Sequence, residues 1–318
     1  MKKLHSIKKF KDGMKIQGFY LCTEKSLRYT KNGDLYIDLE VRDKTGHIHA
    51  KIWDKVDLLD KQFDAGDAVA ISGEVHLFLD QLQLKVKKIK TATRKNYGRY
   101  GFEPANLVLT AKSDPLVMWK EIEKSISLIN NVFLKKLVSN IYKKNKKKLL
   151  IYPASIKMNH SYRSGYLENI VAMLRIGKRI SSLYKIDKDL LMSGIMLHNV
   201  GVIEEFSPGY EVDYTLKGSL LGNTIIGKDI VKEAITNIKN FPEEIALKIE
   251  HIILSHRGYF NKNTSKPPAF REALLVHLIS NLDMKMNILE MIYREDLNHE
   301  KFTDIHNYFR TPMLKDGN

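Results

Sequence analysis

The sequence predicts an α+β chain of two parts: a small barrel of five short strands, then a helical half. Three observations carry this. Between residues 15 and 90, apolar and polar residues alternate in short runs. Clusters of Gly, Asn and Asp separate those runs. From Trp119 onward, apolar residues recur every three or four positions instead.

Phe19-Tyr20-Leu21 is apolar, and Leu35 to Val41 alternates, as does His47 to Trp53. Val69 to Val75 and Leu82 to Ile89 complete the set. Asn32-Gly33-Asp34, Asp43-Lys44-Thr45-Gly46 and Ala65-Gly66-Asp67 supply turns in which glycine tolerates positive φ. Five short strands with regular turns suit a closed barrel of OB type. Residues 91–118 are rich in loop formers. Ile122, Ile126, Ile129, Phe133, Leu137 and Ile141 then mark one continuous helix that runs out in the lysine run 143–148. Later helices are expected over Gly165–Tyr184, Lys188–Asn199, Leu216–Asn240, Glu243–Ser255 and Phe270–Tyr293. The expected division is a barrel over 1–92, a basic connector and helical linker over 93–150, and an all-α domain over 151–318.

Composition narrows the function. The chain has 318 residues, 43% of them hydrophobic and 28% charged, which supports packed cores. Its single cysteine, Cys22, cannot form an internal disulfide and reads as a small core residue of a strand, which fits a reducing, cytoplasmic setting. No secretory leader and no membrane-spanning run is expected. The net charge of +15 is unevenly spread: +5 over residues 1–90, +9 over 91–150 and +1 over 151–318. A polyanion-facing surface is therefore expected on the first half.

OB barrels grip single strands by stacking bases on aromatics and pairing phosphates with cations. Candidate aromatics are Tyr20, Tyr29, Tyr36, Trp53 and Phe78. Candidate cations are Lys25, Arg28, Lys31, Lys51, Lys85, Lys87 and Lys88. The connector adds Arg94, Tyr97, Arg99 and Tyr100, which interleave charge with rings.

Several stretches in the helical half stand out: Asn159 to Asn169, Leu197-His198-Asn199-Val200-Gly201, Leu221-Gly222-Asn223, Glu250 to Gly258, and Ile279 to Asp283. Together with Asp43 to Asp54, Ser72 to His76, Ser265 to Pro268 and Asn281 to Asn287, their order resembles the YhaM-type 3′→5′ exoribonucleases. The resemblance implies an OB barrel joined to an HD-type domain in which histidines and aspartates hold divalent metals of the Mn, Co or Zn class. Metal-bound water would then attack the phosphodiester.

Position by position, most of those ligands are replaced. Asn169 stands where the early-helix histidine is expected, His198-Asn199 where a His-Asp pair is expected, and Ser280 where the late aspartate is expected. Asn159, Asn223 and Arg257 replace further histidines, and Val202 follows Gly201 in place of lysine. His160, Glu168, His198, His251, His256 and Asp283 remain, with His198, His256 and Asp283 as residual metal candidates. Asn is a neutral, weak donor for a transition metal. No catalytic residue and no cofactor is expected.

His160 and Arg163 are candidate phosphate contacts, since they flank the resembled family's substrate side. Three functions stay open: a non-catalytic binding or regulatory protein, an active exonuclease with a rearranged metal site, and a nucleotide sensor. The expected partner is single-stranded nucleic acid, RNA ahead of DNA, with no membrane. A homo-oligomer or an assembly with an intact relative is compatible with the resemblance.

Overall fold

A computed structural model describes residues 4–30, 32–79, 81–207, 209–210, 212–258, 266–296 and 300–315. It forms two compact units, Met1–Thr110 with Pro208–Glu211, and Ala111–Ser207 with Val212–Asn318. The segment 93–150, expected as a connector, is thus shared between them. Ala92, Phe102, Leu107 and Val108 form a small core with Leu21 and Ala68 of the barrel. Residues 115–149 belong to the helical unit.

The first unit is a closed five-stranded barrel of β1 (Lys15–Tyr29), β2 (Leu35–Asp43), β3 (Gly46–Ile52), β4 (Ala68–Phe78) and β5 (Gln81–Thr91). The order around the barrel is β1-β2-β3-β5-β4, with β1 closing on β4, only β3 and β5 parallel, and the short helix α1 (Val56–Asp60) between β3 and β4. This is the five-stranded Greek-key closure of the OB type. Alternation fills the interior: Ile37, Leu39 and Val41 from β2 meet Ile48, Ala50 and Ile52 from β3 and Val75, Leu84 and Val86 from β4 and β5. Cys22 is fully buried in this core.

Two glycines are required by geometry. Gly33 turns the β1–β2 hairpin at a φ of 88°. A Cβ on Gly73 would lie 2.3 Å from the Lys85 carbonyl oxygen, because the β4–β5 register shifts between Ser72 and Gly73. That shift pairs Ser72 with Lys88 and Gly73 with Val86, so Lys87 is an extra residue on β5.

The second unit holds α3 (Pro115–Ser127), α4 (Val132–Leu149), α5 (Gly165–Ile180), α6 (Lys188–Leu197), α7 (Val202–Glu205), α8 (Leu216–Thr236), α9 (Glu243–Ser255) and α10 (Arg271–Glu295). One more short helix, α2 (Arg94–Tyr97), belongs to the first unit. The single helix expected from Trp119 to the lysine run is two. Asn131 caps α4 through Phe133 N–H (3.0 Å) and Leu134 N–H (3.1 Å). Asp189 accepts from the amides of Asn130 and Asn131 at 3.0 and 2.8 Å. α8 is also interrupted, at Gly222 with φ 70°. The lysine run is partly structural: Lys148 Nζ donates to the Ile203 carbonyl at 2.8 Å, and Lys146 lies 4.9 Å from the Trp119 ring. Among the described residues, no helix is long and apolar enough to cross a membrane.

Candidate nucleic-acid interface

Because Ile37, Leu39 and Val41 point inward on β2, Tyr36, Asp38 and Glu40 point outward. Ile48, Ala50 and Ile52 do the same for β3, leaving His47, His49 and Lys51 outside. Ile37 is paired with Ile52, so the next residues along, Tyr36 and Trp53, meet on the outer face. Their rings stack with centroids 4.6 Å apart and planes 25° apart. Lys51 Nζ lies 5.1 Å from the Tyr36 centroid and 5.5 Å from that of Trp53. Parallel pairing with β5 then sets Lys85 beside Lys51. Asp38 is the partner of Lys51 across the β2–β3 ladder, but its carboxylate is engaged by Arg28 at 3.2 Å. The result is a stacked aromatic pair beside two lysines on paired positions, neither of which forms an ion pair with a described residue.

The hairpin tips beside this face carry further exposed groups. Tyr29 is 72% exposed at the end of β1, and Leu77, Phe78 and Leu79 are exposed at the tip of β4. Lys31 lies outside the described residues.

Several candidates sit elsewhere. Tyr20 is fully buried, with its hydroxyl donating to the His5 carbonyl at 2.7 Å, so it is a core residue. Lys25 is tied by its ammonium to the carbonyls of Asp60 (2.6 Å) and Phe63 (2.7 Å) and pins α1 to the barrel. Lys87 is paired with Glu74 at 3.0 Å, and Arg94 with Glu103 at 2.7 Å. Tyr97, Arg99 and Tyr100 line a separate cleft with Lys88 and Lys90, over the outer side of β1, β4 and β5. Sequence reading missed Lys90 and Phe19 as members of that cleft. The signal for Lys90 was its place two residues beyond Lys88 on one strand.

In the helical unit the resembled metal positions form a hydrogen-bond network. Asp283 Oδ2 accepts from Asn169 Nδ2 at 2.7 Å and from His160 Nε2 at 2.9 Å. His160 Nδ1 meets the Tyr162 hydroxyl at 2.8 Å, and that hydroxyl donates to Glu168 Oε2 at 2.5 Å. Burial works against a charge on His160, but the Asp283 and Glu168 carboxylates outweigh it and raise its pKa. With both ring nitrogens facing acceptors, the imidazolium form fits. His160 is buried, so it presents no ring nitrogen to solvent. Arg163 is half-buried, and its carbonyl accepts from the Ala111 amide at 2.9 Å.

His198 and His256 are the opposite case. Each Nδ1 donates to a backbone carbonyl, of Ile195 at 2.8 Å and of Ile253 at 2.7 Å, and the two rings pack edge to face at 5.1 Å. Burial lowers the pKa of His198 to about 4 and that of His256 to about 3. Both are therefore neutral at pH 7 with a lone pair on Nε2.

The rest of the set does not complete a metal site. Asn169 and Asn223 contribute only neutral amide oxygens, both buried and unpartnered. Asn199 Nδ2 donates to the Ala154 carbonyl at 3.0 Å. His251 Nε2 accepts from the Ala269 amide at 3.0 Å. Ser280 is half-buried on α10. Among the described residues, no three His, Cys, Asp or Glu side chains are grouped to hold a metal. The donors do not fit a catalytic dication, which needs carboxylates to offset its charge.

The neutral histidines imply acid sensitivity. The unfolded chain binds their protons near pH 6.5, whereas the folded chain resists until about pH 4 and 3. Stability is therefore full above pH 6.5 and falls as pH drops below it, by about 1.4 kcal/mol per pH unit for each histidine. His160 acts in the reverse sense, its contribution being complete below pH 6.5 and lost as pH rises through its raised folded value. Denaturant unfolding at pH 7.5 and pH 5 is expected to show the loss at pH 5. Equal stabilities would contradict neutral burial of the pair.

The family profile described as the OB-fold nucleic acid binding domain (tRNA_anti-codon) matches residues 23–92. The barrel is an OB-fold nucleic-acid-binding domain. This OB domain is similar to the second OB-fold domain of replication protein A from Methanococcus maripaludis, with 21% identity over 28% of this chain and 94% of that one, at a TM-score of 0.24. It is also similar to a replication protein A heterotrimer bound to ssDNA, with 13% identity over 31% of this chain and 74% of that one, at a TM-score of 0.23. The p204 HINb domain matches at 16% identity over 28% of this chain and 47% of that one, at a TM-score of 0.24.

Proposed function

We propose that the chain binds single-stranded nucleic acid, RNA ahead of DNA, through the outer β2–β3 face of its OB domain, and does not hydrolyse it. The observation that carries this reading is the Tyr36–Trp53 stack with Lys51 against both rings. Base stacking is tolerant of sequence because every base has a π-face, and the cations take phosphates. Lys85 extends the charge to β5, and Arg28 and Tyr29 supply a flank at the β1–β2 tip.

The helical unit reads best as an HD-type hydrolase fold, similar to the YhaM-type exoribonucleases, whose metal chemistry has been replaced by a structural network. Asn169 supports this. Where the resemblance expects a metal-binding histidine, its amide donates to Asp283 and so helps hold the carboxylate inside the protein. The preference for RNA rests on that resemblance. The role is binding or regulatory.

The test is a 3′-labelled single strand incubated with the protein in Mn²⁺ and, separately, in chelator. The strand is expected to stay intact and bound in both. Affinity is expected to fall as salt rises, by about 0.7 log units per log unit of salt for each phosphate neutralised. Shortening of the strand in Mn²⁺ that chelator abolishes would establish the rearranged nuclease instead.

A further inference from the structure

The side of the barrel away from the β2–β3 face holds a cleft of about 950 Å³. Its floor is apolar, from Gly18 and Phe19 of β1, Ala70 and Ile71 of β4 and Ile89 of β5. Its wall is the segment around α2, fixed by Thr93, whose hydroxyl caps the Asn96 amide at 3.2 Å. Tyr97 packs edge-on against Phe19 at 5.6 Å, and Phe19 against Phe102 at 5.1 Å, so the aromatic wall is set before any ligand arrives. Lys88, Lys90 and Arg99 line the cleft, and among the described residues that line it none is Asp or Glu. Lys88 and Lys90 form no ion pair with any described residue, and the Arg99 guanidinium lies 4.8 Å from the Tyr100 ring. An apolar floor, aromatic walls and unbalanced cations together suit a base with its phosphate.

β5 joins this cleft to the other face. Lys85 stands beside Lys51 on the β3 side. The extra residue at the bulge leaves both Lys87 and Lys88 exposed, and Lys90 follows at the cleft. Lys85 to Lys90 spans roughly 17 Å of extended strand. Lys87 is held by Glu74, so Lys85, Lys88 and Lys90 mark the cationic path from the Tyr36–Trp53 stack to the cleft, long enough for more than one phosphate.

We infer that a single strand held on the β2–β3 face continues along β5 and seats a further nucleotide in the cleft lined by Lys88, Lys90, Tyr97 and Tyr100. The inference rests on the reading of the β2–β3 face given above. It makes the site size of the protein larger than that face alone, and places part of its salt dependence on the opposite side of the barrel.

The experiment compares Lys88→Glu/Lys90→Glu with the parent full-length chain on fluorescent single strands of about 4 and about 16 nucleotides. Short-strand affinity is expected to be unchanged. Long-strand affinity is expected to fall by about tenfold or more, and its salt slope by roughly 1.4, two phosphates' worth. The milder Lys88→Gln/Lys90→Gln pair is expected to show the same pattern at smaller amplitude, which guards against a folding defect in the reversed variant.

Unchanged long-strand affinity and slope would overturn the cleft while leaving the β2–β3 face in place. Equal losses on both lengths would also overturn it, by assigning the effect to overall charge. Competition by a free nucleoside monophosphate, with no advantage of long over short strands in the parent, would assign the cleft to a free nucleotide and overturn the inference. If the parent binds neither length, the β2–β3 reading falls as well.

Discussion

Trp53→Ala is expected to weaken single-strand binding by roughly 1–3 kcal/mol, the usual worth of one base–aromatic stack. At about 1.4 kcal/mol per factor of ten, that is from about 5-fold to more than 100-fold. The effect is large because Trp53 does two things. It offers a ring to the ligand, being 39% exposed, and it holds Tyr36 and Lys51 in place. Removing it leaves Lys51 against Tyr36 alone and leaves Tyr36 without its stacking partner. Trp53 lies just beyond β3 and outside the barrel's buried core, so the fold is expected to survive. Trp53→Phe keeps a ring and is expected to fall between the two. Fluorescence anisotropy with a labelled strand reads all three proteins, and an unchanged affinity in Trp53→Ala would remove the stack from the interface.

Asp283→Ala is expected to be the most damaging single change in the helical unit. Asp283 is buried, and one of its oxygens accepts from both His160 and Asn169. Deleting the carboxylate leaves the buried His160 ring with Glu168 alone, 3.7 Å from Nδ1, and leaves the Asn169 amide without its acceptor. Removing one partner of a buried charged pair typically costs about 3–5 kcal/mol. Asp283→Asn keeps an acceptor oxygen and is expected to cost less. Urea unfolding followed by far-UV ellipticity measures this, since most of the helix lies in that unit. Single-strand affinity is expected to be unchanged, because no part of the Tyr36–Trp53 platform depends on Asp283. A stability loss below about 0.5 kcal/mol, the level of an ordinary surface change, would show that the network is incidental.

The barrel was legible because each strand declares its inward face by alternation, and turn residues mark the ends. The strands' true lengths were not legible. β1 begins at Lys15, and its first residues gain order only by pairing with β4. Tyr20 read as a surface aromatic, yet it is buried with its hydroxyl satisfied by the His5 carbonyl fifteen residues away in sequence. Lys25 read as a phosphate contact until two carbonyls near α1 claimed it. The break between α3 and α4 was hidden for a similar reason. The apolar phase runs on through Ile126, Ile129 and Phe133, and the stop is made by Asn131 and by Asp189 from α6. The Tyr36–Trp53 pair was half legible, since both residues were candidates but their contact follows from register. The cleft was least legible, because its walls come from three strands and α2. Which lysines of β5 face it depends on the bulge at Ser72 and Gly73.

Stacking of single strands on the β2–β3 face can be read directly from intrinsic fluorescence. The chain has two tryptophans. Trp119 is 2% exposed in the helical core, with its indole N–H donating to Glu123 at 2.7 Å, and is expected to be silent. Trp53 sits on the platform. Titration with a single-stranded oligonucleotide is expected to quench the emission, with the quenching lost in Trp53→Phe and retained in Trp119→Phe. Quenching that survives in Trp53→Phe, or binding by anisotropy with no quenching in the parent, would contradict the placement of the strand on this face.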